Sequence, residues 1–370
     1  MTPRILVTTG EPSGDLHGSR VIEALGQRFP GATITAIGGP HIAATGTTIL
    51  RDIDDFAAMG FVEIVHKIPA HLALYRRLCR EFEAGRHDLL ITVDYPGFHV
   101  RLAEGARRRG VKVLHYIAPQ LWAWRPQRAA RWARAVDRLA VILPFEAEFF
   151  RQHDIEATYV GHPLAESRAA PDRGAARAEL GIGADERVLA LFPGSRRGEI
   201  QRLWEPYRDA AAALRRAGLV DHVVVAGTSW GRYPTSEELI VVRDRPSLAL
   251  AAADAVLAKS GTTTLEAALA DVPMVVAYRT HPITYHVARR VVTVPWVSLV
   301  NLIAEREVVP ELVQEAVTTE ALVRSIGPLL DRDSPQAIAQ RQGFADVRRR
   351  LGGPGAADRV AALAAELLEA

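Results

Sequence analysis

The sequence predicts two doubly wound α/β domains, each a parallel sheet with helices on both faces. Three observations support this. Short apolar runs rich in β-branched residues alternate with amphipathic helical stretches along the chain, the signature of a parallel sheet with crossover helices. The alternation runs through twice, and an Ala/Pro/Arg-rich segment, Leu164–Ala176, separates the two series with the composition of a linker. A length of 370 residues suits two domains at roughly 150 residues each.

In chain order, the first series places strands at Ile5–Thr9, Thr33–Ile37, Leu89–Val93, Val111–Tyr116 and Arg138–Leu143. Amphipathic helices, among them Leu16–Arg28 and Ile68–Glu83, lie between them. These near-continuous apolar runs suit strands buried on both faces. Tyr159–Gly161 closes the series before His162-Pro163. The second series places strands at Val188–Phe192, His222–Ala226, Glu238–Val242, Ala255–Ala258 and Pro273–Ala277. Beyond Asp331 only helical patterning remains, ending in the Ala/Leu-rich stretch Ala356–Glu369. The expected division is 1–165, 166–335 and 336–370, the last being helices that pack back on the first domain or on a partner subunit. Two such domains with trailing helices form the layout called GT-B in glycosyltransferases, with an active-site cleft between domains. In open parallel sheets ligands bind beyond the carboxyl ends of the strands, so function is to be sought in those loops.

Composition narrows the field. Apolar residues at 48% and charged residues at 24% exclude a disordered or collagen-like chain. No apolar run reaches the roughly 18 residues of a membrane span, and Met1 leads into a strand without a basic n-region, so no export signal is expected. Cys79 is the single cysteine, which excludes a disulfide framework and fits a reducing cytoplasm. The net charge of +2 is too balanced to imply nucleic acid. Lys occurs only at 67, 112 and 259, against 42 Arg; this reads as compositional bias, with phosphate chemistry the alternative, so an Arg counts only with local support. The His residues lack ligand spacing and no Walker loop occurs, so neither a metal nor ATP hydrolysis is expected, and no cofactor.

Five loops carry the candidate chemistry. Gly10-Glu11-Pro12-Ser13-Gly14-Asp15 follows the first strand and opens a helix. Its carboxylates, Glu11 and Asp15, suit sugar hydroxyls better than pyrophosphate; Ser13 or Asp15 as a simple helix cap is the alternative. Asp94, after Leu89–Val93 and before Pro96-Gly97, is placed to accept the proton of an attacking hydroxyl or merely to start a turn. Trp122 and Trp124 are too close to share one helical face, so one of them stands free to stack on a sugar or shield an acyl chain. Gly194-Ser195-Arg196 follows the first strand of the second series and presents backbone and charge at a helix start, as a diphosphate is held. Ser260-Gly261-Thr262 opens another such helix, and Glu266, one turn in, is placed for a bidentate grip on two ribose hydroxyls. Together they point to a nucleoside diphosphate. The segment Phe56–Leu74 is apolar on more than one side. It reads as a core helix or an interfacial one, with Val62, Ile64, Val65, Ile68 and Leu72 as the lipid-facing patch.

At these residues the chain resembles the lipid-A-disaccharide synthases, membrane-associated GT-B enzymes of lipopolysaccharide synthesis in Gram-negative bacteria. The resemblance runs nearly end to end, through GEPSGD (Gly10–Asp15), MGFVEI (Met59–Ile64), VDYPGF (Val93–Phe98), HYIAPQLWAWR (His115–Arg125), LPFE (Leu143–Glu146), PGSRRGEI (Pro193–Ile200), SGTTTLEA (Ser260–Ala267) and VNLIAEREVVPEL (Val300–Leu312). It implies transfer of a diacylglucosamine unit from its UDP derivative to the 6-hydroxyl of 2,3-diacylglucosamine 1-phosphate, giving a β-1,6-linked disaccharide and UDP. By resemblance Asp94 is the base, Glu11 belongs to the catalytic loop, Arg196 meets the donor phosphates, Glu266 the ribose, and Asn301 the nucleotide. The implied setting is the cytoplasmic surface of the inner membrane, with a homodimer left open. Members often carry a second Asp after the turn (APDF) where this chain has Tyr95-Pro96-Gly97-Phe98, and Ala226–Val241 is about one helix short. The rival readings are a UDP-sugar 2-epimerase, a GlcNAc transferase of peptidoglycan synthesis, and a non-catalytic nucleotide-sugar binder.

Overall fold

The computed structural model describes residues 2–53, 61–166, 172–233 and 239–369, with side chains described for these except at 61–67, 283 and 286–288. The chain divides into two compact units, Met1–Glu166 with Gly353–Ala370, and Ser167–Gly352.

The first unit runs β1 (Arg4–Thr8), α1 (Pro12–Arg28), β2 (Thr33–Gly38), α2 (Pro40–Ala43), β3 (Thr48–Asp52), α3 (Phe61–Glu83), β4 (Leu89–Val93), α4 (Pro96–Arg107), β5 (Lys112–Tyr116), α5 (Ala129–Ala135), β6 (Arg138–Val141), α6 (Glu146–Arg151) and β7 (Ala157–Tyr159). Its strands form one sheet in the order β3-β2-β1-β4-β5-β6-β7, with parallel pairing throughout. Side chains alternate across the sheet, so each central strand feeds two cores. Leu6, Leu90 and Val113 pack with Leu78, Phe82, Leu102 and Trp132 on one face. Ile5, Ile91 and Leu114 pack with Val21 and Leu25 on the other.

The second unit runs α7 (Arg173–Leu180), β8 (Val188–Phe192), α8 (Arg197–Arg216), β9 (His222–Gly227), β10 (Leu239–Arg243), α9 (Pro246–Ala252), β11 (Ala255–Lys259), α10 (Thr262–Leu269), β12 (Met274–Tyr278), α11 (Pro282–Val291), α12 (Leu299–Ala304), β13 (Glu311–Val313), α13 (Thr319–Ile326) and α14 (Pro335–Leu351). Its sheet has the order β10-β9-β8-β11-β12-β13, again parallel. No helix separates β9 from β10 among the described residues. The buried Asp254 carboxylate binds Arg173 at 2.5 Å, Arg177 at 2.8 Å and the Val188 amide at 2.8 Å, pinning α7 to the strand starts.

The last residues do not form one element group. α14 packs on α10 and α12 of the second unit. The final helix, α15 (Ala356–Glu369), packs on α1, β4 and β5 of the first. Its Val360, Leu363, Ala364 and Leu367 fall on one helical stripe and join the core with Ile5 and Val21. The Arg359 guanidinium donates to the Val160 carbonyl at 2.7 Å. The segment read as linker ends early: Asp172 caps α7 by accepting from the Ala175 amide at 3.1 Å, so Arg173–Ala176 are already helical. In both sheets the strand order reverses beside the first strand, at β1/β4 and at β8/β11. Ligands gather at the carboxyl ends of such strand pairs.

Candidate active site

The β8/β11 switch point holds a cavity of about 440 Å³ lined by Gly194, Ser195, Arg196, Lys259, Gly261, Thr262 and Glu266, with Thr228 and Asp244 opposite. Two loops that read alike in sequence behave differently here. After β8, the Glu199 carboxylate accepts from the Ser195 amide at 3.1 Å and the Arg196 amide at 3.2 Å, and pairs with Lys259 at 3.0 Å. Burial opposes the charge on Glu199, but Lys259 and the two amides hold its carboxyl below the ordinary value. The anion seat formed by those amides is thus filled from within the chain, which corrects the expectation that Gly194 and Ser195 offer free backbone there. Gly194 has φ +120°, and a Cβ would fall 2.6 Å from Glu199 Oε2. Arg196 is 85% exposed and, among the described residues, makes a loose 3.9 Å contact with Glu199. The sequence signal for Glu199 was its place three residues after the N-cap, the acidic half of a capping box.

After β11 the arrangement is open. Gly261 has φ +152° and caps α10 without a side-chain bond, leaving the Thr262 and Thr263 amides directed along the helix start. The Ser260 hydroxyl does not face the cavity's ligand space freely: it donates to the Val297 carbonyl at 2.5 Å. Glu266 lies one turn into α10, and burial pushes its carboxyl above the ordinary value, with no compensating donor among the described residues. Asn301, read as a nucleotide contact, is fully buried. Its amide donates to the Val309 carbonyl and to Glu311, both at 2.9 Å, and its oxygen accepts from the Val308 and Val309 amides at 2.8 and 3.0 Å. It organises the α12–β13 connection and has no capacity left for a ligand.

In the first unit, the GEPSGD loop after β1 and the Asp94 turn after β4 end adjacent strands. Asp94 is mostly buried. Burial first, and then the negative charge of Glu11, push its carboxyl up, while the Tyr95 amide pulls it partly back. Asp94 and Tyr95 have φ of +51° and +49°, a strained pair of non-glycine residues in left-handed backbone. The Asp94 amide donates to the Tyr116 carbonyl at 2.9 Å. His99 Nδ1 donates to the Asp94 carbonyl at 2.6 Å, which fixes its tautomer, and burial drops its pKa to about 4. His71 Nε2 and the Tyr95 hydroxyl share a bond of 3.0 Å. Sequence reasoning gave Tyr95, His71 and His99 no part in this turn: the His71–Tyr95 link is tertiary, whereas His99 lies only five residues from Asp94 at the start of α4.

Two further expectations are corrected. Asp15 is fully buried and does not cap its own helix: its carboxylate accepts from the Gly39, His41 and Ile42 amides at 2.6, 2.8 and 3.3 Å, at the start of α2. Trp122 is buried and donates to the Glu146 carboxylate at 2.9 Å. Trp124 is 44% exposed, with the Arg125 guanidinium 4.6 Å above its ring. Glu11 and Ser13 are exposed at the start of α1. In the expected lipid-facing patch, Ile68 and Leu72 are 54% and 44% exposed on α3. The side chains of Val62, Ile64 and Val65 lie outside the described residues, as does Met59. No helix among the described residues is long and apolar enough to cross a membrane.

A family model described as lipid-A-disaccharide synthetase matches residues 5–352. Proteins named lipid-A-disaccharide synthase are similar over nearly the whole chain. That of Geobacter metallireducens is 38% identical, covering 99% of this chain and 97% of its own. That of Myxococcus xanthus is 40% identical, covering 99% and 98%. That of Pseudomonas aeruginosa is 40% identical over 90% and 91%. Among solved structures, the fold matches UGT89C1 of Arabidopsis thaliana, with TM-score 0.67 at 14% identity and full coverage of both chains. It also matches MurG of Acinetobacter baumannii, with TM-score 0.58 at 15% identity and coverage of 99% and 100%. These are GT-B glycosyltransferases, and the two parallel sheets here have that fold.

Proposed function

Because the chain belongs to the lipid-A-disaccharide synthase family, a family of glycosyltransferases, we propose that it joins two acylated glucosamine units by inverting transfer from a UDP donor. The donor is UDP-2,3-diacylglucosamine, the acceptor 2,3-diacylglucosamine 1-phosphate, and the products are the β-1,6-linked disaccharide 1-phosphate and UDP. The observation that carries the reading is Glu266: a part-buried carboxylate with no donor among the described residues, one turn into a helix whose first amides have no acceptor among them. A carboxylate kept there above its ordinary pKa gains most from donors that a ligand brings, and a ribose diol brings two. The Thr262 and Thr263 amides and the exposed Arg196 suit the diphosphate and the charge that develops on leaving UDP.

Asp94 takes the acceptor proton. Its raised pKa suits a general base better than a free surface carboxylate does, and Glu11, the neighbouring charge, tunes it. A single displacement of UDP by the acceptor hydroxyl inverts the anomeric carbon, so an α-linked donor gives a β product. Ile68 and Leu72 on α3 provide peripheral contact with the cytoplasmic face of the inner membrane, where both acylated substrates reside. The test is Asp94→Asn. Turnover of UDP-diacylglucosamine should fall about 100-fold or more, with UDP affinity unchanged. Near-normal turnover would move the base elsewhere, to Glu11 first.

A further inference from the structure

We propose that His71 is a positioning residue for the catalytic turn, acting on Asp94 through the hydroxyl of Tyr95. The inference rests on the reading of Asp94 as the base and deepens it. Two consecutive left-handed non-glycine residues persist only where their surroundings over-determine them. Here the restraints come from three elements. β5 accepts the Asp94 amide through the Tyr116 carbonyl. α4 holds the Asp94 carbonyl through His99 Nδ1, and the His99 amide donates to the Tyr95 carbonyl at 3.2 Å. α3 holds the Tyr95 side chain through the 3.0 Å bond to His71, with the two rings stacked at 6.1 Å and 22°.

The Tyr95 ring is also what the Gly10 position is shaped for. A Cβ on Gly10 would fall 2.3 Å from Tyr95 Cγ, so only glycine lets the ring lie across the loop that carries Glu11. Tyr95 therefore touches the acidic loop, adjoins the base and reaches α3 at once. The turn itself offers no second acid, Gly97 standing three residues after Asp94, and an imidazole–phenol pair steadies it. His71 falls on the same helical stripe as the exposed Ile68 and Leu72. The helix face proposed to meet lipid thus also holds the turn that carries the base.

The experiment compares His71→Phe, Tyr95→Phe and the double variant in the full chain, with Asp94→Asn alongside. Each single variant should lower kcat about tenfold while KM for the donor, UDP affinity and melting temperature stay close to wild type. The double variant should lose no more than the worse single one, since both remove the same bond. His71→Gln, whose amide can still meet the Tyr95 hydroxyl, should recover to within about threefold of wild type. Unchanged kcat in both single variants while Asp94→Asn is inactive would overturn the inference and leave the base reading standing. So would losses that multiply in the double variant, or His71→Gln behaving like His71→Phe. If Asp94→Asn itself keeps wild-type turnover, the base reading falls and takes this inference with it.

Discussion

Asp15→Ala should unfold the first unit before it touches substrate handling. The carboxylate is fully buried and receives three amides at the start of α2, at 2.6, 2.8 and 3.3 Å. Gly38 and Gly39 let it approach that closely: a Cβ on Gly39 would sit 3.0 Å from Asp15 Oδ2 and 2.9 Å from Ile53 Cδ1. A hydrogen bond to a charged group contributes about 1.5–3 kcal/mol. The three are not additive, and removing the acceptor strands buried donors, so the loss should be about 3–5 kcal/mol, the scale for breaking a buried charged pair. For a unit of this size, about 2–4 °C of melting temperature accompanies each kcal/mol, giving a drop of roughly 6–20 °C by calorimetry. Asp15→Asn, which keeps one acceptor oxygen, should lose less. An Ala variant that melts within a degree or two of wild type but binds acceptor poorly would refute the structural role and restore Asp15 as a ligand contact.

Glu146, fully buried beneath Trp122 and the Ile142 and Leu143 amides, has its pKa pushed up to about 7 by burial. A carboxyl raised in the folded state favours folding below its unfolded pKa and loses that contribution as pH rises through about 7. The stability difference between wild type and Glu146→Gln should therefore change by about 3 kcal/mol between pH 4.5 and 8, and a flat difference in urea titrations would contradict it. Glu266→Ala should weaken UDP about tenfold or more by calorimetry yet leave 2′,3′-dideoxy-UDP unaffected; equal weakening of both would assign Glu266 to helix support. Ile68→Ser with Leu72→Ser should cost little stability, since both side chains are exposed, but should reduce sedimentation with anionic vesicles; unchanged sedimentation would remove α3 from the membrane contact.

The central strands were legible in sequence because both their faces are buried. β4 and β8 are enclosed along their whole length, and each reads as an unbroken apolar run. β3, β7 and β13 escaped notice because they are sheet-edge strands without a long apolar run, unlike the edge strand β10: β3 carries exposed residues at Thr48, Arg51 and Asp52, and β7 and β13 have three residues each. Site residues divided along the same line. The candidates Asp94 and Glu266 stand where local order puts them, just past a strand end and one turn into a helix. Asp15 and Asn301 have the right residue type in the right kind of loop, but their partners, Gly39 and Val309, come from other turns of the chain. A buried carboxylate or amide with a full set of partners cannot be told from a ligand contact by spacing. Only the count of satisfied hydrogen bonds separates them.

That count also decides between the two glycine-containing loops of the second unit. In sequence, Gly194-Ser195-Arg196 and Ser260-Gly261-Thr262 present the same case for phosphate: small residues, hydroxyls and a helix start. In the fold, the first has an internal anion. Glu199 takes the Ser195 and Arg196 amides and Lys259, so a diphosphate placed there would meet a carboxylate before it met a donor, and like charges at such range repel strongly in a part-buried site. The second has its hydroxyl at Ser260 engaged with Val297 but leaves the α10 amides open beside Glu266. On the proposed reading the diphosphate therefore sits on α10. On that reading the first loop would offer it the exposed guanidinium of Arg196 rather than backbone, and Lys259, held by Glu199 at 3.0 Å, stands at the junction of the two loops as the cation that Glu199 keeps in place.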